Sequence, residues 1–120
     1  MRKLLLATSA LVPLGLSFGL SCPALANPLG GQVVGGSAAI AGTGTSTVTV
    51  TQSSQNAVIN WQSFNIGAGE TTRFVQPSSS ATVLNRVTGD TNPSQIFGTL
   101  TANGRVFVIN PNGVLIGNGA

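Results

Sequence analysis

Reactive side chains are scarce in this sequence. It contains no histidine and no tyrosine, and its single cysteine, Cys22, and single lysine, Lys3, both lie near the N-terminus. Residues 27–120 therefore lack the side chains needed for catalytic triads, thiol nucleophiles, Schiff bases and imidazole or thiolate metal sites. Nucleotide-binding and zinc-binding motifs are absent as well. We expect no catalytic residue, no metal site and no small-molecule cofactor.

Charge is also scarce, since only 6% of the residues are charged. Arg2 and Lys3 account for most of the formal net charge of +3. The charged residues beyond position 26 are Arg73, Arg86, Arg105, Glu70 and Asp90. Three cations against two acids leave a net charge of +1 there, so the composition does not argue for a nucleic-acid partner.

The N-terminus has the three parts of a secretory signal. Positive residues at 2–3 precede an apolar stretch at 4–20, and Ala24-Leu25-Ala26 supplies the small-x-small cleavage pattern. We predict that residues 1–26 are a signal peptide and that signal peptidase cuts between Ala26 and Asn27. The remaining domain would be residues 27–120.

Two other hypotheses account for this segment less well. A membrane anchor needs about 20 apolar residues, whereas this run is shorter and contains Pro13 and two glycines. A lipoprotein signal would use Cys22, but Gly19 stands where such signals usually have leucine. The loss of Cys22 with the leader would also leave the exported part without a disulfide.

Alternation of apolar and polar residues dominates the chain after a glycine-rich stretch at 27–46, whose composition alone would also suit a flexible linker. Residues 47–51 alternate strictly, with Val48 and Val50 on one face. Further strand-like runs are bounded by turn residues. They lie at 57–64, 72–75, 81–87, 95–101, 105–109 and 114–116. No run has helical spacing, so we predict an all-β fold.

The turns leave the architecture open between a β-sandwich and a β-solenoid. Asn-Gly pairs at 103–104, 112–113 and 118–119 suit either hairpin turns or solenoid corners, because both residues tolerate positive φ. Strands about ten residues apart and recurrent asparagines favour a solenoid with side-chain amides stacked between successive turns. Those asparagines are Asn60, Asn65, Asn85 and Asn110. The run at 106–109 is apolar on both faces, which predicts a strand buried under a second covering layer.

Few residues could support an enzyme. Glu70 and Asp90 would form a glycosidase pair if one solenoid turn placed them about 5 Å apart, but both follow glycine in turn contexts where an exposed acid is ordinary. Trp61 is in phase with Ala57 and Ile59 on one strand face, which favours a core role over sugar stacking.

Four segments carry a more specific signal. They are residues 56–67 (NAVINWQSFNIG), 83–89 (VLNRVTG), 92–100 (NPSQIFGTL) and 106–117 (VFVINPNGVLIG). In this order and spacing they resemble the N-terminal secretion domain of filamentous haemagglutinin-type exoproteins. The chain departs from the founding members at Ser94-Gln95, where they have Asn-Leu, and at Val114, where isoleucine is commoner.

The resemblance implies two-partner secretion by an adhesin or haemolysin type of exoprotein. Such a protein crosses the inner membrane, is captured from the periplasm by an outer-membrane transporter with periplasmic recognition domains, and folds outside or at the cell surface. The implied fold is a right-handed parallel β-helix with an N-terminal cap, which would begin in the stretch at 27–46. Family domains are longer than this chain, so we expect a truncated β-helix with an open edge.

The resemblance also assigns a role to the two Asn-Pro motifs. By its residues alone the second motif is a turn, since proline fixes φ and removes a donor. The resemblance adds recognition by the transporter, including strand addition while the chain is unfolded. The predicted transporter-binding residues are Asn92, Pro93, Ser94, Asn110, Pro111, Asn112, Gly113 and Val114.

Two alternative functions remain open from the sequence. One is a free-standing exported protein with a β-structural or carbohydrate-binding role, and the other is the front of a β-helix polysaccharide-cleaving enzyme.

Overall fold

A computed structural model describes residues 26–120 of the chain. Residues 1–25 of the proposed leader, including Cys22 and Ala24, lie outside the described residues, whereas its last residue, Ala26, and Asn27 lie inside them. Residues 26–120 form ten strands and no helix, which confirms the all-β prediction. Within this part of the chain no helix is long and apolar enough to cross a membrane.

The strands follow one another at short intervals. They are β1 (Gln32–Gly35), β2 (Ala38–Ala41), β3 (Thr47–Gln52), β4 (Asn56–Trp61), β5 (Thr71–Val75), β6 (Thr82–Val87), β7 (Ser94–Ile96), β8 (Thr99–Ala102), β9 (Arg105–Ile109) and β10 (Val114–Ile116). Strand β3 shows why the alternating pattern forms a strand. Val48 and Val50 are fully buried, while Thr47 and Thr51 are exposed on the opposite face.

The strands form three sheets. The first sheet has the order β1-β4-β6-β9, the second has the order β2-β3-β5-β8, and the third pairs β7 with β10. Ile66 extends the third sheet through a parallel bridge to Ile96. All of these pairings are parallel except those of β1 with β4 and of β2 with β3.

The chain visits the three sheets in the same order three times, and we call each passage a circuit. The first circuit runs from β3 through β4 to Ile66, the second contains β5, β6 and β7, and the third contains β8, β9 and β10. Each strand of one circuit pairs in parallel with the corresponding strand of the next. Strands that follow each other within a circuit therefore lie in different sheets.

The Asn-Gly pairs at 103–104 and 112–113 are consequently corners and not hairpin turns. The first pair connects β8 to β9 and the second connects β9 to β10, and each connection passes between sheets. Positive φ occurs at Gly113, with a value of 105°, but at no residue other than glycine among those described. At these two corners only Gly113 uses the positive φ that Asn-Gly pairs tolerate. Asn103 instead bonds the neighbouring circuit, donating from Nδ2 to the Gln76 carbonyl over 2.7 Å.

The glycine-rich stretch forms ordered strands and is not a linker. Strands β1 and β2 pair antiparallel with β4 and β3. They thereby cover the edges of the first and second sheets at the first circuit, which is the position of the N-terminal cap that the family resemblance implies. Covering an edge removes the unpaired backbone groups that would otherwise attract another strand.

The core lies inside the three sheets. Trp61 is 1% exposed and meets the ring of Phe64 edge to face, with 5.7 Å between ring centroids. This contact supports the predicted core role of Trp61. The other buried apolar residues of the core are Val48, Val50, Ala57, Ile59, Ile66, Phe74, Val83, Val87 and Ile96.

The predicted strand over residues 95–101 is wrong, because two strands occupy it. Strand β7 ends at Ile96 and β8 begins at Thr99, with a corner at Phe97 and Gly98. The amides of these two corner residues both donate to the Ile66 carbonyl, over 2.7 and 3.1 Å. A Cβ atom at Gly98 would lie 2.2 Å from the Gly67 carbonyl oxygen, so only glycine permits this approach.

The expected burial of both faces of residues 106–109 is also wrong. Val106 and Val108 pack against the core, but Phe107 is 52% exposed and Ile109 is 51% exposed. The two exposed residues lie on the outer face of the first sheet, over which the described residues place no second layer. The apolar pattern of β9 therefore exceeds what burial within residues 26–120 requires.

The asparagines join neighbouring circuits, although not by stacking on one another. Asn85 is fully buried, accepts from Trp61 Nε1 over 2.8 Å, and donates to the Phe107 carbonyl over 3.2 Å. Asn60 accepts from Arg86 Nε over 2.9 Å at the surface. Each amide bonds a side chain or backbone group of the adjacent circuit, so the expected asparagine ladder is wrong in its partners.

Asn85→Ala should lower the free energy of unfolding by about 1–3 kcal/mol, since it leaves the Trp61 indole N–H without a partner in the interior and removes a part-buried bond to the Phe107 carbonyl. Asn60→Ala removes an exposed bond and should change it by less than about 0.5 kcal/mol. Urea unfolding would measure both. Equal effects of the two substitutions would contradict the role given to Asn85.

Residues 27–120 in isolation should fold poorly or associate. Strands β8, β9 and β10 each have one unpaired edge within the described residues, and Leu100, Val114 and Ile116 remain exposed beside those edges. Light scattering with a thermal melt would test this expectation. A monomer with a single cooperative transition would contradict it.

Candidate recognition surface

The two Asn-Pro motifs lie one above the other at the corner between the first and third sheets. One loop connects β6 to β7 and the other connects β9 to β10. Each is the same connection in successive circuits, which is why motifs distant in sequence come into contact. We define the Asn-Pro corner as residues 90–94 together with residues 110–114.

Asn110 links the two loops through its side chain. Its Nδ2 donates to the Asn92 carbonyl and to Ser94 Oγ, both over 3.1 Å. Its Oδ1 accepts from the Asn112 amide over 2.8 Å, and its backbone carbonyl accepts from the Gly113 amide over 2.9 Å. The side chain thus holds its own turn closed while bonding the loop of the preceding circuit.

Further hydrogen bonds complete the corner. Asn112 Nδ2 donates to the Asp90 carbonyl over 3.2 Å, and the Ser94 amide donates to the Gly113 carbonyl over 3.0 Å. The Asp90 carboxylate accepts from the amide and from Nδ2 of Asn92, over 3.0 and 3.1 Å. These bonds keep both loops in one arrangement.

Six of the eight predicted recognition residues are exposed. They are Asn92, Pro93, Pro111, Asn112, Gly113 and Val114. Ser94 is only 1% exposed and Asn110 is half-buried, and both use their side chains within the corner. The fold therefore brings all eight residues together. Ser94 and Asn110 are withdrawn from solvent, and the other six form the surface, although Asn92 and Asn112 also make hydrogen bonds within the corner.

The surface of the Asn-Pro corner is a ridge with little charge. Asp90 is the one charged side chain within residues 90–94 and 110–114. Its carboxylate is occupied by hydrogen bonds from Asn92. A partner of this ridge would be selected by hydrogen bonding to amides and by the shape of the exposed prolines.

Glu70 does not occupy the exposed turn position expected from its context. It is 6% exposed, and its carboxylate accepts from the amide of Ala26 through both oxygens, over 3.1 and 3.0 Å. The Gly67 amide donates to the same carboxylate over 2.8 Å. The turn that was expected to present the acid to solvent folds inward, because three backbone donor contacts lie there.

The glycosidase pair suggested by Glu70 and Asp90 is not assembled. Glu70 lies at the corner before β5, and its carbonyl accepts from Thr99 of the next circuit over 2.9 Å. Asp90 lies at the corner between β6 and β7, below Asn112. The two residues do not stack, because 20 residues do not bring the chain back to the same corner. Within residues 26–120 no group of three potential metal ligands occurs.

A buried pair of glutamines was not anticipated from the sequence. Gln52 and Gln76 lie one above the other at the corner between the second and first sheets, with Gln76 Nε2 donating to Gln52 Oε1 over 3.3 Å. Gln76 Nε2 also faces the carbonyls of Ala81 and Arg105, and its Oε1 accepts from the Gly104 amide over 2.8 Å. The sequence does place a glutamine at the end of β3 and another directly after β5, two valine-containing strands that are neighbours in the second sheet.

Comparison with known proteins agrees with these features. Residues 25–120 match the family described as the TPS secretion domain. A heme/hemopexin-binding protein of Haemophilus influenzae strain Rd is 45% identical over 93 residues, which is 78% of this chain and 10% of that protein. A second protein of that name from Haemophilus influenzae is 46% identical over 89 residues, or 74% of this chain and 10% of its own length.

A solved structure is similar as well. The crystal structure of the HMW1 secretion domain from Haemophilus influenzae has a TM-score of 0.69 and 41% sequence identity to this chain. The similarity covers 76% of this chain and 24% of that structure. None of these relatives is named as an enzyme.

The fold and the matches together define a secretion domain of an exported β-protein. The chain belongs to the TPS secretion domain family, that of two-partner secretion exoproteins. It spans about a tenth of the length of the curated relatives it matches.

Gln76→Ala should lower the free energy of unfolding by about 1–3 kcal/mol, because the Gly104 amide and two carbonyls lose a buried partner. Gln95→Ala, at an exposed position of β7, is the matched control and should change it by less than about 0.5 kcal/mol. Urea midpoints of the two variants would measure the difference. A Gln76 variant as stable as the Gln95 variant would argue against the buried glutamine pair.

Proposed function

We propose that residues 27–120 are the N-terminal portion of the secretion domain of a filamentous haemagglutinin-like exoprotein of the adhesin or haemolysin type. The proposed route is leader removal by signal peptidase after Ala26, passage through the periplasm, and export by an outer-membrane transporter to the cell surface or medium. Membership in the TPS secretion domain family carries this proposal. The small-x-small pattern before Asn27 supports the cleavage position.

The fold of the intact domain is proposed to be a right-handed parallel β-helix. The parallel pairing of corresponding strands in the three circuits supports a helical path. Parallel strands joined by crossovers are right-handed in about 98% of cases. Further circuits would pair with β8, β9 and β10 and cover their exposed apolar residues.

The Asn-Pro corner is proposed as the surface that the transporter's periplasmic domains recognise. Six clustered residues there are exposed, and none of them carries a charge, so binding would rest on amide hydrogen bonds and proline shape. While the chain is unfolded, the same segments can add as strands to a sheet of the transporter. In the folded state, Asn110 and Ser94 keep the exposed members in register.

Export assays can separate recognition from folding. Asn112→Ala and Pro111→Ala alter exposed residues of the corner, and we expect each to reduce secretion about tenfold, the effect of losing roughly 1.4 kcal/mol of binding free energy. Asn110→Ala should reduce both secretion and the stability of the secreted protein, since it removes the bonds to Asn92 and Ser94. Secreted fractions and urea midpoints would be measured in cells that make the cognate transporter.

Gln95→Ala is the matched control, because Gln95 is exposed next to the corner but outside its exposed set. Its secretion should equal that of the unaltered exoprotein. Unchanged export of the Asn112 and Pro111 variants, together with unchanged binding to the transporter's periplasmic domains, would refute recognition at this corner.

A further inference from the structure

Within residues 26–120, Glu70 is a buried carboxylate whose hydrogen-bond partners are all neutral. The donors that the described residues supply are the backbone amides of Ala26 and Gly67, and Ala26 serves both oxygens. Glu70 is 6% exposed, and its amide hydrogen bonds offset only part of the hydration that a buried carboxylate loses, so a cation would stabilise it further. No arginine among residues 26–120 donates to it.

The partner of Glu70 lies at the proposed cleavage point. Ala26 would be the last residue of the leader and Asn27 the first residue of the mature chain. Asn27 is 1% exposed, donates from Nδ2 to the Thr45 carbonyl over 3.1 Å, and accepts at Oδ1 from Thr72 Oγ1 over 3.2 Å. The start of the mature chain is therefore held in place beside the carboxylate.

Cleavage changes the chemistry at this position. Hydrolysis of the Ala26–Asn27 peptide bond consumes one water, leaves a carboxylate on the departing leader, and leaves an amine on Asn27 that takes up a proton. The new ammonium lies within one residue of the former Ala26 nitrogen, at most about 3.6 Å. It brings a positive charge and three donors to a site that loses its bidentate amide.

We propose that Glu70 is the receptor for the mature N-terminus, with the α-ammonium of Asn27 taking the place of the Ala26 amide in a buried ion pair. This inference rests on the proposed cleavage after Ala26. The leader-bearing chain has a neutral amide at the same site, so the ion pair forms only after processing. It joins the N-terminal residue to the corner between the first and second circuits, beside the cap.

The remaining charged groups of residues 26–120 do not compete for this site. Arg73, Arg86 and Arg105 are exposed on the outer faces of β5, β6 and β9, and Arg86 is bonded to Asn60. Asp90 lies at the Asn-Pro corner. The pKa of the α-amine should therefore respond to Glu70 and to no other acid of this segment.

The α-amine can be observed selectively, because residues 27–120 contain no lysine. Trypsin would release the peptide 27–73, in which the N-terminus is the sole primary amine. Acetylation of the folded, processed exoprotein across a pH series, with mass spectrometry of that peptide, yields the pKa of the amine. We expect Glu70 to raise this pKa by about one unit above its ordinary value near 7.7–8.0.

Two variants and one reference state complete the experiment. Glu70→Gln should return the pKa of the amine to its ordinary value, whereas Asp90→Asn removes the same charge elsewhere and should leave the raised pKa unchanged. Unfolding in urea should abolish the shift in every protein. If the processed, folded chain begins at Asn27 and its amine pKa is the same in the unaltered protein and in the Glu70→Gln variant, the proposal is overturned.

The mass of the N-terminal peptide separates the two levels of inference. A peptide beginning at Asn27 supports the cleavage site, and the pKa then decides on the ion pair. A peptide beginning at any other residue overturns both the cleavage position and the ammonium site that depends on it, while the family assignment and the transporter proposal stand unaffected.

Discussion

The structure depends on the parallel backbone ladder that joins each circuit to the next. In this ladder residues of the same type often lie directly above one another, as in the series Ile66, Ile96 and Ile116 in the third sheet. Parallel pairing leaves the backbone groups of an outer circuit bonded on one side only. Each circuit therefore completes the previous one and requires another to complete itself. Stability in such an arrangement arises mainly between neighbours, as it does in repeat proteins.

Polar side chains at the corners hold this ladder in register. Gln76 bonds backbone groups of its own circuit and of the next, and Asn110 ties the third circuit to the second. A buried amide that loses its hydrogen-bond partners lowers the stability of the fold. A shift of one residue in the ladder would leave several of these amides without partners. The apolar residues supply burial, while the amides specify which register is buried.

Local patterns predicted the strands but not their interruptions. Strict alternation located β3, and turn residues on both sides located β9 and β10, because side-chain period and punctuation are local properties. The break at Gly98 depends on the Gly67 carbonyl, which arrives from the preceding circuit. The exposure of Phe107 depends on what covers the first sheet, and nothing within four residues of β9 encodes that.

The residues of the candidate surface could be predicted from the sequence. Which of them are buried in the corner and which are exposed could not. Proline and Asn-Gly mark the loops in sequence, yet only the stacking of circuits shows that Asn110 and Ser94 face inward while Asn112 faces solvent. Glu70 was misjudged for a similar reason. A glycine before an acid suggests an exposed turn, whereas two of the three donor contacts to the buried carboxylate come from Ala26, 44 residues earlier.

The antiparallel cap makes the two ends of the stack of circuits different. One end is blocked, and the other can accept another strand. A polypeptide that leaves a pore with its N-terminus first would have a complete template for strand pairing as soon as its first circuit has formed. Every later segment would pair with the segment before it. Each pairing would shorten the unfolded chain outside the pore and oppose its return into the pore. The free energy of strand pairing would thus favour net outward movement of the chain, without a chemical energy source on the far side of the pore.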